Sequence, residues 1–306
     1  MYQKPKGNVM NGYVLETRDL TKSYNGRPAV DGVSVAIKRG EIYGLIGKNG
    51  AGKTTFMRLI LGLCEKDRGE VMLFGDKDLN KARAKIGSLI EEPGLYRSCT
   101  AYENMKRFAM LYGADKAEIP EILNLVGLSD TGNKKAGEFS LGMRQRLGIA
   151  IALLNRPEML LLDEPINGLD PAGIKEMRDL FVTLNKKGVT LIISSHILDE
   201  LSKVVSVYGI INKGRIVEEI RQEELENRCK RGIVFRTSAT DKAADAFKEK
   251  FPSGICETEE DKLIVYDPLD AADRINAELV SRGIGVYEIS KFSYDIEDFF
   301  LEKMEK

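Results

Sequence analysis

The residues able to do chemistry fall in a few short runs. Gly47-Lys-Asn49-Gly50-Ala51-Gly52-Lys53-Thr54 matches the pattern G-x-x-x-x-G-K-[ST]. Its glycines let backbone N–H groups turn inward around phosphate oxygens. Lys53 offers a point charge to the β- and γ-phosphates of a nucleotide, and Thr54 a hydroxyl to Mg²⁺. The run follows an apolar strand, Ile42–Ile46, and opens a helix whose N-terminal dipole favours an anion. A second run, Met159-Leu-Leu-Leu162-Asp163-Glu164-Pro165, reads as a buried strand ending in two acids. Such a strand sets Asp163 at the carboxyl edge of a sheet beside the phosphate loop, where it can hold Mg²⁺ through water. Glu164, one residue on, can reach a water in line with the γ-phosphate and act as general base.

Composition narrows the alternatives. The 306 residues include one histidine, His196, so a multi-histidine zinc site is excluded and any histidine-dependent step has one candidate. The four cysteines, Cys64, Cys99, Cys229 and Cys256, are isolated, with no metal spacing, which favours a reducing compartment. No apolar run approaches the ~20 residues of a bilayer span, and Met1–Gly12 is polar, without the apolar centre of a signal peptide. The expectation is a cytoplasmic protein that depends on another chain for any membrane span. The net charge of −1 hides a division: 32 Lys+Arg face 25 Asp+Glu through residue 216, and 14 face 22 after it. This shift suggests a domain boundary, and the acidic C-terminal third is a poor ligand for nucleic acid or anionic lipid.

The elements that must position these residues alternate. Val33–Ile37, Ile42–Ile46, Val71–Phe74, Met159–Leu162, Val189–Ile193 and Val207–Ile211 read as strands, with helical stretches at Lys53–Leu63, Leu141–Leu154 and Ala172–Lys186. This is the pattern of an α/β layer on a largely parallel sheet. Pro93–Glu138 lacks strand signals and carries a capping box, Thr100-Ala-Tyr-Glu103, so a helical insertion is expected there. The division is a tail over 1–12, an α/β nucleotide-binding domain over 13–217 with a helical subdomain at about 93–150, and a small α+β domain over 218–306. The last reads as βαββαβ with a closing helix at Asp295–Lys306.

With these runs assembled, residues 13–217 resemble the ATPase subunits of ATP-binding cassette (ABC) transporters. Phe139-Ser140-Leu-Gly142-Met143 resembles their signature motif, Asn167-Gly-Leu-Asp170 the D-loop, and Ser194-Ser195-His196 the switch histidine. Tyr24 stands where an aromatic stacks on adenine. The resemblance implies a P-loop cassette fold that binds ATP and Mg²⁺ through Gly47, Asn49, Gly50, Ala51, Gly52, Lys53, Thr54 and Thr55. It further implies two cassettes closing over ATP, with Ser140, Gly142 and Asp170 acting across the dimer, and a separate transmembrane permease that keeps the chain peripheral on the inner face of the membrane. His196 would position the attacking water and sense the γ-phosphate.

Two departures stand out. The signature has Leu141 where the family has Gly, and Met143 where it has Gln. In Ser88-Leu-Ile-Glu91-Glu92-Pro93, Glu91 replaces a customary glutamine that contacts Mg²⁺ and the attacking water. On that basis Glu91 is expected to place a third carboxylate near Asp163 and Glu164, binding the metal with Thr54 and Asp163 and taking part in catalysis. A glutamate here, with the tail Asp295-Ile-Glu-Asp-Phe-Phe-Leu301, resembles cassettes that export bacitracin-type peptides and lantibiotics. The competing readings are a non-transport cassette ATPase acting on nucleic acid or ribosomes, and a nucleotide-sensing module without turnover. No long coiled-coil insertion or second cassette supports the first, and the Glu164–His196 pair argues against the second.

Overall fold

The computed structural model describes residues 12–76, 78–229, 231–293 and 296–305. The expected tail up to residue 11, and Asp295 and Lys306 at the ends of the expected closing helix, lie outside them. The chain divides into two units: Met1–Gln222 with Lys303–Lys306, and Glu223–Glu302.

In the first unit the strands are β1 (Tyr13–Tyr24), β2 (Arg27–Val33), β3 (Ala36–Lys38), β4 (Ile42–Ile46), β5 (Arg68–Leu73), β6 (Ile86–Leu89), β7 (Met159–Asp163), β8 (Thr190–Ser195), β9 (Val207–Asn212) and β10 (Arg215–Arg221). The helices are α1 (Lys53–Leu61), α2 (Leu79–Arg83), α3 (Ala101–Tyr112), α4 (Ile119–Leu125), α5 (Leu141–Ala152), α6 (Pro171–Lys186) and α7 (Leu198–Leu201). The central sheet has the order β10-β9-β4-β8-β7-β6, parallel throughout except for the β9–β10 pair. Every residue of β4, β7 and β8 is buried, as expected of parallel strands covered on both faces. That is why their sequences read as unbroken apolar runs. Because β4, β7 and β8 run the same way, their carboxyl ends meet at one edge, and the phosphate loop, the two acids and His196 follow those ends.

A second, antiparallel sheet has the order β2-β1-β3, with β5 also on β1. Here the sequence reading needs correction: the expected strand Val33–Ile37 is two strands interrupted at Ser34 and Val35. Thr17 bridges the interruption, its hydroxyl donating to Val33 O at 3.0 Å and accepting from Val35 N at 3.1 Å, while its backbone N–H donates to Val35 O at 2.9 Å. In the helical region, α3 begins at the expected capping box: Glu103 N donates to Thr100 Oγ1, and Thr100 N to Glu103 Oε2. The helix ends at Gly113, whose φ of 67° suits a residue without Cβ.

The first unit also extends past the boundary expected at 217. β10 pairs with β9 from Arg215 to Arg221; its sequence Arg-Ile-Val-Glu-Glu-Ile-Arg, with four charged residues and no strict alternation, conceals an edge strand. After β10 come α8 (Gln222–Arg228), β11 (Arg231–Thr237), α9 (Thr240–Lys250), β12 (Ile255–Glu259), β13 (Lys262–Asp267), α10 (Ala272–Ser281), β14 (Val286–Ser293) and α11 (Ile296–Glu305), of which Glu223–Glu302 make up the second unit. The sheet order is β12-β13-β11-β14, all antiparallel, and Phe235 and Val265 of the sheet pack with Phe247 and Leu279 of α9 and α10. The βαββαβ order is as the sequence suggests; β12, with three polar residues in five, gave no apolar signal.

Tight packing around β4 gives a stability test. Tyr43 is fully buried and donates its hydroxyl to Glu219 at 2.8 Å; burial lifts the Glu219 carboxyl above its usual range. A Cβ on Gly209 of β9 would lie 1.9 Å from that hydroxyl oxygen. Gly209→Ala is therefore expected to destabilise the protein by roughly 1–3 kcal/mol, the usual cost of overpacking. Thermal unfolding followed by circular dichroism should show a lowered Tm; an unchanged Tm would mean that the contact relaxes freely.

Candidate nucleotide-binding site

The loop between β4 and α1 is shaped by close approach as much as by flexibility. A Cβ on Gly52 would sit 2.2 Å from Ala29 O, and one on Gly47 would sit 2.4 Å from Ile211 O. Gly50 has open space around it, and its φ of 81° is what requires glycine. Asn49, Gly50, Ala51, Gly52 and Thr55 line a cleft of 180 Å³ together with Glu164. Lys53 is only 5% exposed; its Nζ donates to Gly47 O at 2.6 Å and to Lys48 O at 3.3 Å, and lies 3.0 Å from Glu164 Oε1.

The acids arrive on β7. Asp163 is buried, and its Oδ2 accepts from Thr54 Oγ1 at 2.6 Å. Its Oδ1 accepts from Ser194 Oγ at 2.5 Å, and Ser194 lies opposite it on β8. Glu164 turns the chain out of the strand with φ 48°, in the left-handed region, and Ser194 Oγ accepts its backbone N–H at 2.9 Å. His196, just past β8, places Nδ1 2.8 Å from Glu164 Oε2. The Glu164 carboxylate is thus held by a different cation or ring on each oxygen. Its buried Oε1 has the Lys53 ammonium beside it without the alignment of a hydrogen bond, and among the described residues no other donor reaches it.

These residues suit a polyphosphate and a hard divalent cation. A nearly buried ammonium beside inward-turned glycines calls for anionic oxygens. The neighbouring Thr54 hydroxyl and Asp163 carboxylate are oxygen donors of the kind Mg²⁺ takes, with room left for water. Glu91 is the exception. It follows β6, which neighbours β7, yet its side chain turns away to Arg58, with Nη2 to Oε1 at 2.5 Å, and is 63% exposed. The expected third carboxylate is thus engaged by Arg58 in this structure, and a place at the metal would require it to leave that pair. The reason is local: Arg58 lies on α1 within reach, and pairing with it relieves the repulsion that three clustered carboxylates would create.

The remaining candidates sit apart. Tyr24 ends β1, is 46% exposed and has Lys22 Nζ 5.4 Å from its ring centre. Ser140 caps α5, its Oγ accepting from Met143 N at 3.2 Å, and Asp170 caps α6, accepting from Gly173 N at 3.1 Å. Neither Ser140, Gly142 nor Asp170 lines the phosphate-loop cleft of its own chain. The two motifs touch each other: a Cβ on Gly168 would meet Leu141 Cδ2 at 3.2 Å, and one on Gly142 would meet Leu169 Cδ2 at 3.6 Å. Sequence reasoning passed over Ser194 and Arg58; for Ser194 a signal existed, a serine on the strand that must flank Asp163.

Comparison with known proteins decides the family. The profile described as ABC transporter matches residues 30–167. The bacitracin transport ATP-binding protein BcrA of Bacillus licheniformis is 42% identical over 94% of this chain and 96% of its own length.

The chain belongs to the ABC transporter ATPase family.

The lantibiotic transport ATP-binding protein SrtF of Streptococcus pyogenes is 43% identical, over 70% of this cassette protein and 93% of its own length. Among solved structures, an ABC transporter cassette in its ADP conformation superposes with TM-score 0.65 at 27% identity, over 70% of this chain and 94% of that one. A dimeric bacterial cassette gives 0.61 at 28% identity, over 68% and 98%. The shared part is the α/β P-loop ATPase; the BcrA match continues through the C-terminal unit. This ABC protein is therefore a nucleotide-binding, ATP-hydrolysing transporter subunit. Among the described residues no helix is long and apolar enough to cross a membrane.

The placement of Glu91 makes a prediction. In Glu91→Gln the half-saturating Mg²⁺ for ATP hydrolysis should stay within twofold of the parent, whereas Asp163→Asn should raise it by at least tenfold. ATPase rates over a Mg²⁺ titration give both numbers, and a large shift in Glu91→Gln would return that carboxylate to the metal.

Proposed function

We propose that this cassette drives a separate membrane permease that exports a peptide antibiotic of the bacitracin or lantibiotic kind, and that Glu164 is its general base. The cargo reading rests on the relatives: BcrA is named for bacitracin transport and SrtF for lantibiotic transport. The catalytic reading rests on one observation above all, the Glu164 carboxylate held between Lys53 at 3.0 Å and His196 at 2.8 Å. In this reading the protein works at the cytoplasmic face of the membrane, held there by the permease.

The steps follow from charge. Tyr24 offers an exposed ring for the adenine, and the loop amides and Lys53 take the phosphates. Thr54 and Asp163 hold Mg²⁺, which when bound neutralises charge on the β- and γ-phosphate oxygens. Once the phosphates arrive, Lys53 has a second anion to pair with, and Glu164 Oε1 is released to accept a proton from water. His196 keeps Oε2 fixed, so the released oxygen stays aimed at the cleft. Ser140, Gly142 and Asp170 face outward at helix starts, suited to a nucleotide held by a second cassette. Dimeric cassettes occur among the matching structures.

Removal of the base should separate binding from turnover. Glu164→Gln is expected to lower kcat by at least 100-fold, in line with the loss of a general base. ATP binding should persist and the dimer accumulate, as seen by light scattering. His196→Ala should likewise bind ATP and stop turnover; near-parental hydrolysis in either variant refutes its assigned role.

For the cargo, cells expressing the protein with its permease should tolerate more bacitracin or lantibiotic than cells carrying Glu164→Gln. Equal inhibitory concentrations for both compound classes would refute that part.

A further inference from the structure

Ser194 is completely buried and occupies the junction of the site. Its hydroxyl donates to Asp163 Oδ1 at 2.5 Å and accepts the backbone N–H of Glu164 at 2.9 Å. Thr54 occupies the other Asp163 oxygen at 2.6 Å, so the carboxylate is gripped on both sides and its plane is set. The second bond does different work. Glu164 has φ 48°, a conformation that a residue with a side chain keeps only when its surroundings hold it there. At that point the chain leaves the β7 ladder, and the Ser194 oxygen is the acceptor that its N–H finds. The next residue, Ser195, is equally buried but turns the other way, accepting from Ile197 N at 2.8 Å. The two serines therefore serve different segments, one the acids of β7 and one the loop after His196.

We infer that Ser194 is a positioning residue for ATP hydrolysis: one hydroxyl fixes both the Asp163 carboxylate and the left-handed turn that aims Glu164 at Lys53 and His196. The inference rests on the roles proposed above for Asp163 and Glu164. An apolar residue of similar size would fill the space, but it would leave the Glu164 N–H without a partner and free Asp163 to rotate about its Cβ–Cγ bond. Removing such a supporting contact typically costs 10–100-fold in metal affinity or activity.

The test compares Ser194→Ala, Ser194→Val and Ser194→Thr. Threonine and valine have nearly the same shape, so a difference between them belongs to the hydroxyl. Three quantities are read: kcat and KM for ATP, the half-saturating Mg²⁺ for binding of a fluorescent mant-ATP, and mant-ATP affinity in EDTA, which also reports folding. The alanine and valine variants should lose roughly 10–100-fold in kcat and require several-fold more Mg²⁺ for nucleotide binding. Their affinity in EDTA should be unchanged, and threonine should stay within about threefold of the parent in all three. Parental kcat and Mg²⁺ requirement in alanine and valine overturns the inference, as does a folded threonine variant no better than valine. Glu164→Gln is measured alongside. If it hydrolyses ATP normally, the general-base reading fails and this inference with it. If it is inactive while the Ser194 variants behave like the parent, only the role of Ser194 fails.

Discussion

An ammonium buried to 5% exposure sets the terms for everything around the phosphate loop. Removing that charge from water costs several kcal/mol unless oxygens replace the lost hydration. Here Gly47 O, Lys48 O and Glu164 Oε1 surround the Lys53 Nζ. Two of these are carbonyls of the loop itself, so the loop's shape and the lysine's position define each other. The third is a carboxylate from another strand, which ties β7 to α1 through an ion pair. That pair makes the cluster responsive to phosphate: an arriving anion competes for the ammonium, and the carboxylate is then held by histidine alone.

The parallel sheet is what allows such a cluster to form. Three strands buried along their whole length end together, and each delivers its polar residues at the point where it leaves the apolar layer. The register is tight enough to matter. Asp163 lies directly opposite Ser194, and Ile46 lies opposite Ser195. A slip of one residue in β8 would turn Ser194 away from Asp163, because successive strand side chains point to opposite faces.

Much of this was legible in the sequence, for reasons that vary by element. The phosphate loop and the two acids announce themselves because their chemistry demands fixed residue types at fixed spacing. β4, β7 and β8 show as apolar runs because they are buried on both faces. β1, β6, β10 and β12 were missed. β10 and β12 are rich in charged or polar side chains, and β6 holds a glycine whose missing Cβ makes room for Ala152 O, at 2.3 Å from where the Cβ would stand. Glu91 shows a different limit. Chain position put it near the acids, but whether its carboxylate faces them depends on Arg58, 33 residues away, and spacing carries no information about that competition.

The contact between the signature helix and the D-loop links one departure, Leu141, to a glycine of the neighbouring motif, Gly168. Leu141 occupies the space beside Gly168, which has φ 74° and less than an ordinary contact distance left for a Cβ. A side chain at 168 would meet both a strained backbone and the leucine; a glycine at 141 would remove the obstruction and leave only the strain. Substitutions at these two positions are therefore not independent. Chains that carry a branched residue at the first should tolerate variation at the second less well than chains with glycine there, so the pair should drift together across the family.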